Sequence, residues 1–355
     1  MGKIYLTLGN KNAYLKRFKE KGAAFVLEVN RKGYQISFKM ATILSYLRIP
    51  FLASSGIAAL GSGLLYFKQN ELIYPRSFPA GSRTEVPTPS QFGISNAESI
   101  ELPTPDGETL HSYLLRPSNT SLSKNITVLL FHGNAGNIGH RLPIGKVLAG
   151  SLGCNVLMLE YRGYGKSTGT PDEGGLTIDA QTSLDYIRQR SDLKSSKLVI
   201  YGQSLGGAVA IKLVAENQHH GDIAGLVLEN TFVSIRKLIP TAFPPAKYLA
   251  RLCHQYWASE ETLPKITAKI PVLFLSGLKD EIVPAAMMKT LYELCNVETK
   301  VWRTFEHGNH NATVAEPGYF DAIWEFLVQE VQGRASGEKD LNVGSAEVNQ
   351  EELWS

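Results

Sequence analysis

From about residue 98 onward, short apolar runs alternate with amphipathic stretches of helical length. The runs are Thr127–Phe131, Val156–Tyr161, Leu198–Tyr201, Leu226–Leu228, Val272–Leu275 and Val301–Phe305. Most of their positions are apolar in succession, so most of the runs would bury both faces. That pattern predicts a mostly parallel sheet with helices on both faces. Ahead of these runs, two alternating segments, Ser99–Leu102 and Thr109–Leu115, flank the turn signal Pro105-Asp106-Gly107 and predict an antiparallel hairpin. Residues 98–332 therefore read as one α/β domain. Residues 68–97, rich in Pro, Ser and Gly, read as a linker, and the polar, acidic residues 333–355 as a disordered tail.

The N-terminal part follows another pattern. Nineteen residues, Ile49–Phe67, carry no charge. As a helix they would reach roughly 28 Å, close to the ~30 Å hydrocarbon core of a bilayer. Pro50, three glycines and three serines dilute the run, but no face of it is charged, and a core helix would have a polar side. The expectation is one transmembrane helix over 49–67. Charge then sets its direction. Residues 1–48 hold ten Lys/Arg against Glu20 and Glu28, a net +8, which leaves −5 for the remaining 307 residues. The basic flank predicts a cytosolic N-terminus, a single-pass type II topology and a lumenal body, in the endoplasmic reticulum. Asn119-Thr120-Ser121 and Asn125-Ile126-Thr127 are glycosylation sequons that would fit such a location. The rival reading takes the basic, acid-poor start as a mitochondrial targeting segment. An acidic body argues against a nucleic-acid partner. Three cysteines without a paired spacing give neither a disulfide framework nor a zinc site, and no cofactor or metal site is expected.

Two Gly-x-Ser-x-Gly matches compete for a nucleophile: Gly165–Gly169 around Ser167 and Gly202–Gly206 around Ser204. Ser204 follows the run ending at Tyr201 and opens the small-residue helix start Gly206-Gly207-Ala208, the context a nucleophile elbow needs. Ser167 leads into Thr168-Gly169-Thr170-Pro171, where no helix can begin, and reads as a loop serine. A serine needs a histidine to take its proton and an acid to orient that histidine. Asp280, after the run Val272–Leu275, is the candidate acid; Glu229 and Glu281 are substitutes. His310 is favoured as base over His307 because it lies beyond the Gly308 turn, where the loop can bend back. His132-Gly133-Asn134, directly after the run Thr127–Phe131, supplies an oxyanion loop. Its expected backbone donors are Asn134 and Leu205, with His132 structural.

Taken together, His132–Gly139, Tyr161–Gly165, Gly202–Gly207, Gly277–Pro284 and His310-Asn311 resemble the membrane-tethered α/β-hydrolase-domain family, in its fungal bud-emergence branch. The resemblance covers about residues 42–332. It implies the α/β-hydrolase fold, a Ser204–Asp280–His310 triad and type II membrane topology. Family members follow the histidine with Asn-Asp-Thr; here it is Asn311-Ala312-Thr313, which aligns His310 and leaves His307 outside. Related cytosolic members remove palmitoyl groups from proteins, so the resemblance points to an acyl ester or thioester substrate.

Residues 231–264 are longer than one crossover helix needs and carry Phe232, Leu238, Ile239, Tyr248 and Trp257. They read either as an ordinary packing helix or as a small apolar lid suited to an acyl chain. The expected function is a membrane-anchored serine hydrolase that forms an acyl-enzyme on Ser204. A catalytically silent scaffold and a serine peptidase are the alternatives.

Overall fold

A computed structural model describes residues 26–30, 33–37, 40–117, 125–242, 244–248 and 250–333. Residues 1–25, the Asn119 sequon and the expected tail from 334 lie outside them. The chain divides into two units, Met1–Leu65 and Tyr66–Ser355.

The first unit contains an antiparallel hairpin, β1 (Val26–Asn30) with β2 (Gly33–Ser37), and the start of a long helix, α1 (Met40–Ile73). The hairpin falls inside the segment read only as basic. The single span expected at 49–67 has its counterpart here in a pair of helical pieces bent by 50°. Among the described residues no single helix is long and apolar enough to cross a membrane, and only the pieces Pro50–Leu64 and Tyr66–Ile73 meet that requirement together. The break follows Gly61-Ser62-Gly63, residues of low helix propensity that also lower the mean hydropathy. Phe51, Leu52, Leu60 and Leu64 of this helix are exposed.

The second unit is built on eight strands: β3 (Ala97–Pro103), β4 (Thr109–Leu115), β5 (Ile126–Phe131), β6 (Asn155–Leu159), β7 (Lys197–Gln203), β8 (Ile223–Glu229), β9 (Val272–Gly277) and β10 (Lys300–Phe305). Their order is β10-β9-β8-β7-β5-β6-β4-β3. The hairpin β3–β4 and its pairing with β6 are antiparallel, and every pairing from β6 to β10 is parallel. This is the α/β-hydrolase sheet. Strand β5 shows why its sequence has no polar face. Leu129 and Phe131 enter one core, with α3 (Glu173–Gln189), α4 (Leu205–Asn217) and α7 (Ala285–Leu294), while Val128 and Leu130 enter the other. That second core is closed by α2 (Leu142–Lys146) and by α8 (Tyr319–Phe326). Burying such a side chain contributes about 1.5–3 kcal/mol each, so a both-face strand is strongly fixed in place.

Residues read as a linker pack instead as a strap. Tyr74, Ser82 and Val86 are buried. The Tyr74 hydroxyl donates to Gln255 Oε1 (2.7 Å) and accepts from Trp257 Nε1 (2.9 Å). Asn137 donates to the carbonyls of Ser82 and Glu85, both at 3.0 Å, and the Gly136 amide donates to Phe78 O (2.8 Å). Pro and Gly mark where regular structure stops; they do not say whether the irregular chain packs. After β8, the segment 231–264 forms α5 (Ile235–Ala242), short 3-10 turns and α6 (Ser259–Thr262).

Candidate functional site

Strand β7 turns into α4 at Ser204, whose φ is 53° and ψ −116°. A left-handed φ on a non-glycine residue costs on the order of 1–3 kcal/mol and persists only where neighbours hold it. Here the Ser204 amide donates to Glu229 O (2.9 Å), and Thr231 Oγ1 donates to Ser204 O (2.7 Å). Glycine is obligatory on either side for lack of space. A Cβ on Gly202 would stand 2.2 Å from Gly206 O, and one on Gly206 would stand 2.1 Å from Phe131 O. The pattern Gly-x-Ser-x-Gly is therefore the imprint of a helix start pressed onto two strand ends.

His310 lies beyond β10 and bridges two partners. Its Nε2 is 3.0 Å from Ser204 Oγ, and its Nδ1 is 2.7 Å from Asp280 Oδ2. An ionised carboxylate can only accept, so the imidazole carries its proton on Nδ1 and offers a lone pair at Nε2. Asp280 is fixed in turn, because its Oδ1 accepts from the amides of Ile282 (2.9 Å) and Val283 (2.7 Å). Both side chains are withdrawn from water, His310 at 9% exposure and Asp280 at 1%.

The rival residues take other places. Glu281 accepts the backbone amide of His310, at 3.4 Å. Glu229 is fully buried under the elbow and receives Tyr201, Tyr319 (2.6 Å) and Gln203 (3.2 Å). Burial holds its carboxyl above the ordinary range, against the pull of those hydrogen bonds. His307 is exposed beside Lys279 Nζ (3.0 Å). Ser167 is a buried staple, donating to Glu160 O (2.8 Å) and accepting from the His111 amide (2.9 Å).

The loop after β5 abuts the elbow: a Cβ on Gly133 would lie 3.7 Å from Ser204 Cβ. Next to it, Asn134 is held by its side chain, which accepts from Tyr164 Oη (2.8 Å) and donates to the carbonyl of Ile73. Leu205 is the first residue of α4, where amides lack intrahelical partners. His132 is fully buried, with Nδ1 2.6 Å from Gly133 O and Nε2 3.2 Å from Glu160 Oε1. Among the described residues, no cluster of three His, Cys, Asp or Glu side chains is arranged to hold a metal ion. A cavity of about 450 Å³ beside α4 is lined by Lys212, Trp257 and Lys265, and by none of Ser204, Asp280 or His310.

This geometry can be set beside known proteins. A family model described as "Serine aminopeptidase, S33" matches residues 123–269. Protein bem46 of Schizosaccharomyces pombe is 47% identical over 290 residues, 81% of this chain and 95% of that protein. The chain belongs to the Bem46 family of α/β-hydrolases. Its enzyme class is serine hydrolase. An uncharacterized membrane protein of Saccharomyces cerevisiae is 40% identical over 274 residues, 77% of this chain and 94% of that protein. The Pyrococcus furiosus esterase Pf2001 matches in fold, with a TM-score of 0.55 at 20% identity over 69% of this chain and 94% of that one.

One residue of this Bem46-family site carried no signal in the sequence beyond ending a strand. Asn230, buried with φ 43°, accepts from the Gly277 amide (2.8 Å) and donates to Thr313 Oγ1 (3.0 Å) and to the carbonyls of Asn309 and His310 (3.3 Å each). It ties the His310 loop to the ends of β8 and β9. Asparagine tolerates a left-handed φ better than most residues, but that preference alone does not distinguish this position from an ordinary turn.

Proposed function

We propose that Ser204, His310 and Asp280 form a nucleophile–base–acid triad that cleaves carboxylic esters or acyl thioesters. The observation that carries this reading is His310 spanning from Asp280 to the strained Ser204. Ser204 Oγ attacks the acyl carbon as its proton passes to His310 Nε2, and the new oxyanion is received by the amides of Asn134 and Leu205. The carbonyl reforms, the C–O or C–S bond breaks, and the imidazolium returns its proton to the departing alkoxide or thiolate. Water then repeats the sequence on the acyl-enzyme, releasing the acid and restoring Ser204. Asp280 supports the transient imidazolium throughout. The family model's name favours a second reading, peptide-bond cleavage by the same steps, with an amine as leaving group.

A fluorophosphonate probe tests the assignment. It should label the native protein covalently, and Ser204→Ala and His310→Ala should each abolish labelling together with hydrolysis of short acyl esters. Ser167→Ala and His307→Ala should stay within a few-fold of native. Labelling that survives Ser204→Ala but vanishes in Ser167→Ala would overturn the site, and a folded native protein that takes no probe would favour a scaffold. An ester, thioester and amide panel separates the two hydrolytic readings.

The proposal includes a membrane anchor within 49–67, oriented with its basic end in the cytosol. Its support is the uncharged run, the exposed apolar side chains of α1 and the similarity to the membrane protein of Saccharomyces cerevisiae. The anchored protein should resist alkaline extraction, and its body should resist protease added outside sealed microsomes.

A further inference from the structure

Between Asn230 and Ser259 the chain has no acidic residue and four cations, Arg236, Lys237, Lys247 and Arg251. Lys237 is paired with Glu260 at 2.6 Å. Arg236 donates to Cys253 O (2.8 Å) and lies 4.0 Å from the centre of the Tyr256 ring, while Lys247 lies 4.8 Å from that of Tyr248. The aromatic partners are turned outward, Tyr248 at 80% exposure and Tyr256 at 47%, and the aliphatic Leu252 is 38% exposed. Water gains nothing from such a patch, whereas the headgroup zone of a bilayer takes tyrosine rings and cations side by side.

The chain itself brings this patch to the place where the apolar run ends. That run closes at Phe67, which is 82% exposed. Two residues later, Gln69 clasps the patch: its Oε1 accepts from the His254 amide (2.8 Å) and its Nε2 donates to Leu252 O (3.3 Å). The Tyr66 ring meets His254 edge-on, with centroids 5.1 Å apart. The patch is thus held within about one helical turn of the last residue that could lie in hydrocarbon.

We infer that Arg236, Lys247, Tyr248, Arg251, Leu252 and Tyr256 form a membrane-contact surface that rests on an anionic lipid leaflet at the mouth of the anchor. The inference rests on the membrane-anchor reading above. Docked in this way, the segment that follows β8 faces the leaflet, and long-chain acyl groups reach the enzyme from the lipid side. Lys247 and Arg251, which among the described residues have no acidic partner, meet the negative surface. On a bilayer containing phosphatidylserine each such cation contributes about fivefold to the docking equilibrium, and the pair about thirtyfold.

The test uses the full chain in liposomes, with an environment-sensitive fluorophore on a cysteine introduced by Tyr248→Cys or, as a control on the exposed end of the body, Glu298→Cys. The native Cys154, Cys253 and Cys295 are buried, so labelling is selective. Lipids carrying a nitroxide on the headgroup should quench the label at 248 and spare the one at 298 when phosphatidylserine is present. Lys247→Glu with Arg251→Glu should remove that quenching. Equal quenching at both sites, or quenching at 248 that is unchanged by the charge reversal, overturns the anionic surface. Disulfide cross-linking of Tyr248→Cys between two copies overturns it in favour of self-association. Alkaline extraction is run in parallel: a protein that stays embedded but shows no quenching refutes the patch alone. A protein that is released and does not bind anionic liposomes refutes the anchor and the patch together.

Discussion

Replacing Asp280 by asparagine isolates what the carboxylate does, because the surrounding bonds dictate how the new side chain must sit. Oδ1 of Asp280 is claimed by the amides of Ile282 and Val283, and an asparagine keeps those bonds only with its carbonyl oxygen in that place. The amide nitrogen then faces His310 Nδ1, where Oδ2 stands now at 2.7 Å. It can donate but not accept, so the imidazole must shift its proton to Nε2, the atom 3.0 Å from Ser204 Oγ. A protonated Nε2 cannot act as base. The expected loss is about 10⁴ in kcat, or about 5.4 kcal/mol of activation free energy, with kcat/KM falling in parallel because substrate binding is untouched. Hydrolysis of a short p-nitrophenyl ester by the detergent-solubilised protein measures the loss, and a thermal melt by circular dichroism checks that the fold is intact. Glu229→Gln should cost less than about tenfold, since Glu229 bonds to Tyr201, Tyr319 and Gln203 rather than to the imidazole. If Asp280→Asn retains more than a tenth of the activity, or if Glu229→Gln has the larger effect, the acid has been misplaced.

Two further outcomes concern the scaffold. Gly206→Ala should give no folded protein, as a methyl group 2.1 Å from Phe131 O can be relieved only by moving backbone; Gly174→Ala, whose Cβ meets Asp172 Oδ1 at 3.4 Å in the first turn of α3, should be tolerated with a stability gain of about 0.5–1 kcal/mol in urea unfolding. His111 is the pH-sensitive element of β4: burial, reinforced by the charge of Lys166, pushes its pKa down from 6.5 to about 4. A depressed value means that the unfolded chain takes up a proton that the native state refuses, so stability is complete above 6.5 and is lost as pH falls toward 4. His111→Gln should therefore show a shallower fall of Tm between pH 7 and pH 4.5 than native protein, and an equal slope would contradict the assignment.

The strands were legible because both-face burial writes an unbroken apolar run, and their ends came within a few residues of the runs. Val156–Tyr161 shows the limit, since β6 stops at Leu159 and Glu160 and Tyr161 turn away. Ser204, Asp280 and His310 could be nominated because each follows a strand in a fixed chain order, and the fold brings the three within hydrogen-bond reach. Asn230 was not legible. Its role depends on Gly277, Asn309 and Thr313, partners 47, 79 and 83 residues away, and no local pattern encodes such a meeting. The strap over 74–87 failed to show for the same reason: Tyr74 and Val86 pack against chain that comes much later. The N-terminal hairpin, by contrast, has a local signal in the alternation of Leu27–Asn30 and Gly33–Ser37, overlaid on the basic charge of the segment.

The hydrogen bond from Asn134 to the Ile73 carbonyl has a practical consequence for anyone who wants a soluble enzyme. Composition invites a cut in the Pro- and Gly-rich stretch after residue 73, which would discard the proposed anchor and keep the whole sheet. Such a cut would also remove the last carbonyl of α1, and with it one of the two polar groups that hold the Asn134 side chain in the loop beside Ser204. The Gln69 clasp on Leu252 and His254 would go as well. A shortened protein should begin no later than Tyr66, so that the last two turns of α1 remain as part of the enzyme. The boundary between tether and catalyst then falls inside the helix, where the chain gives no compositional sign of it.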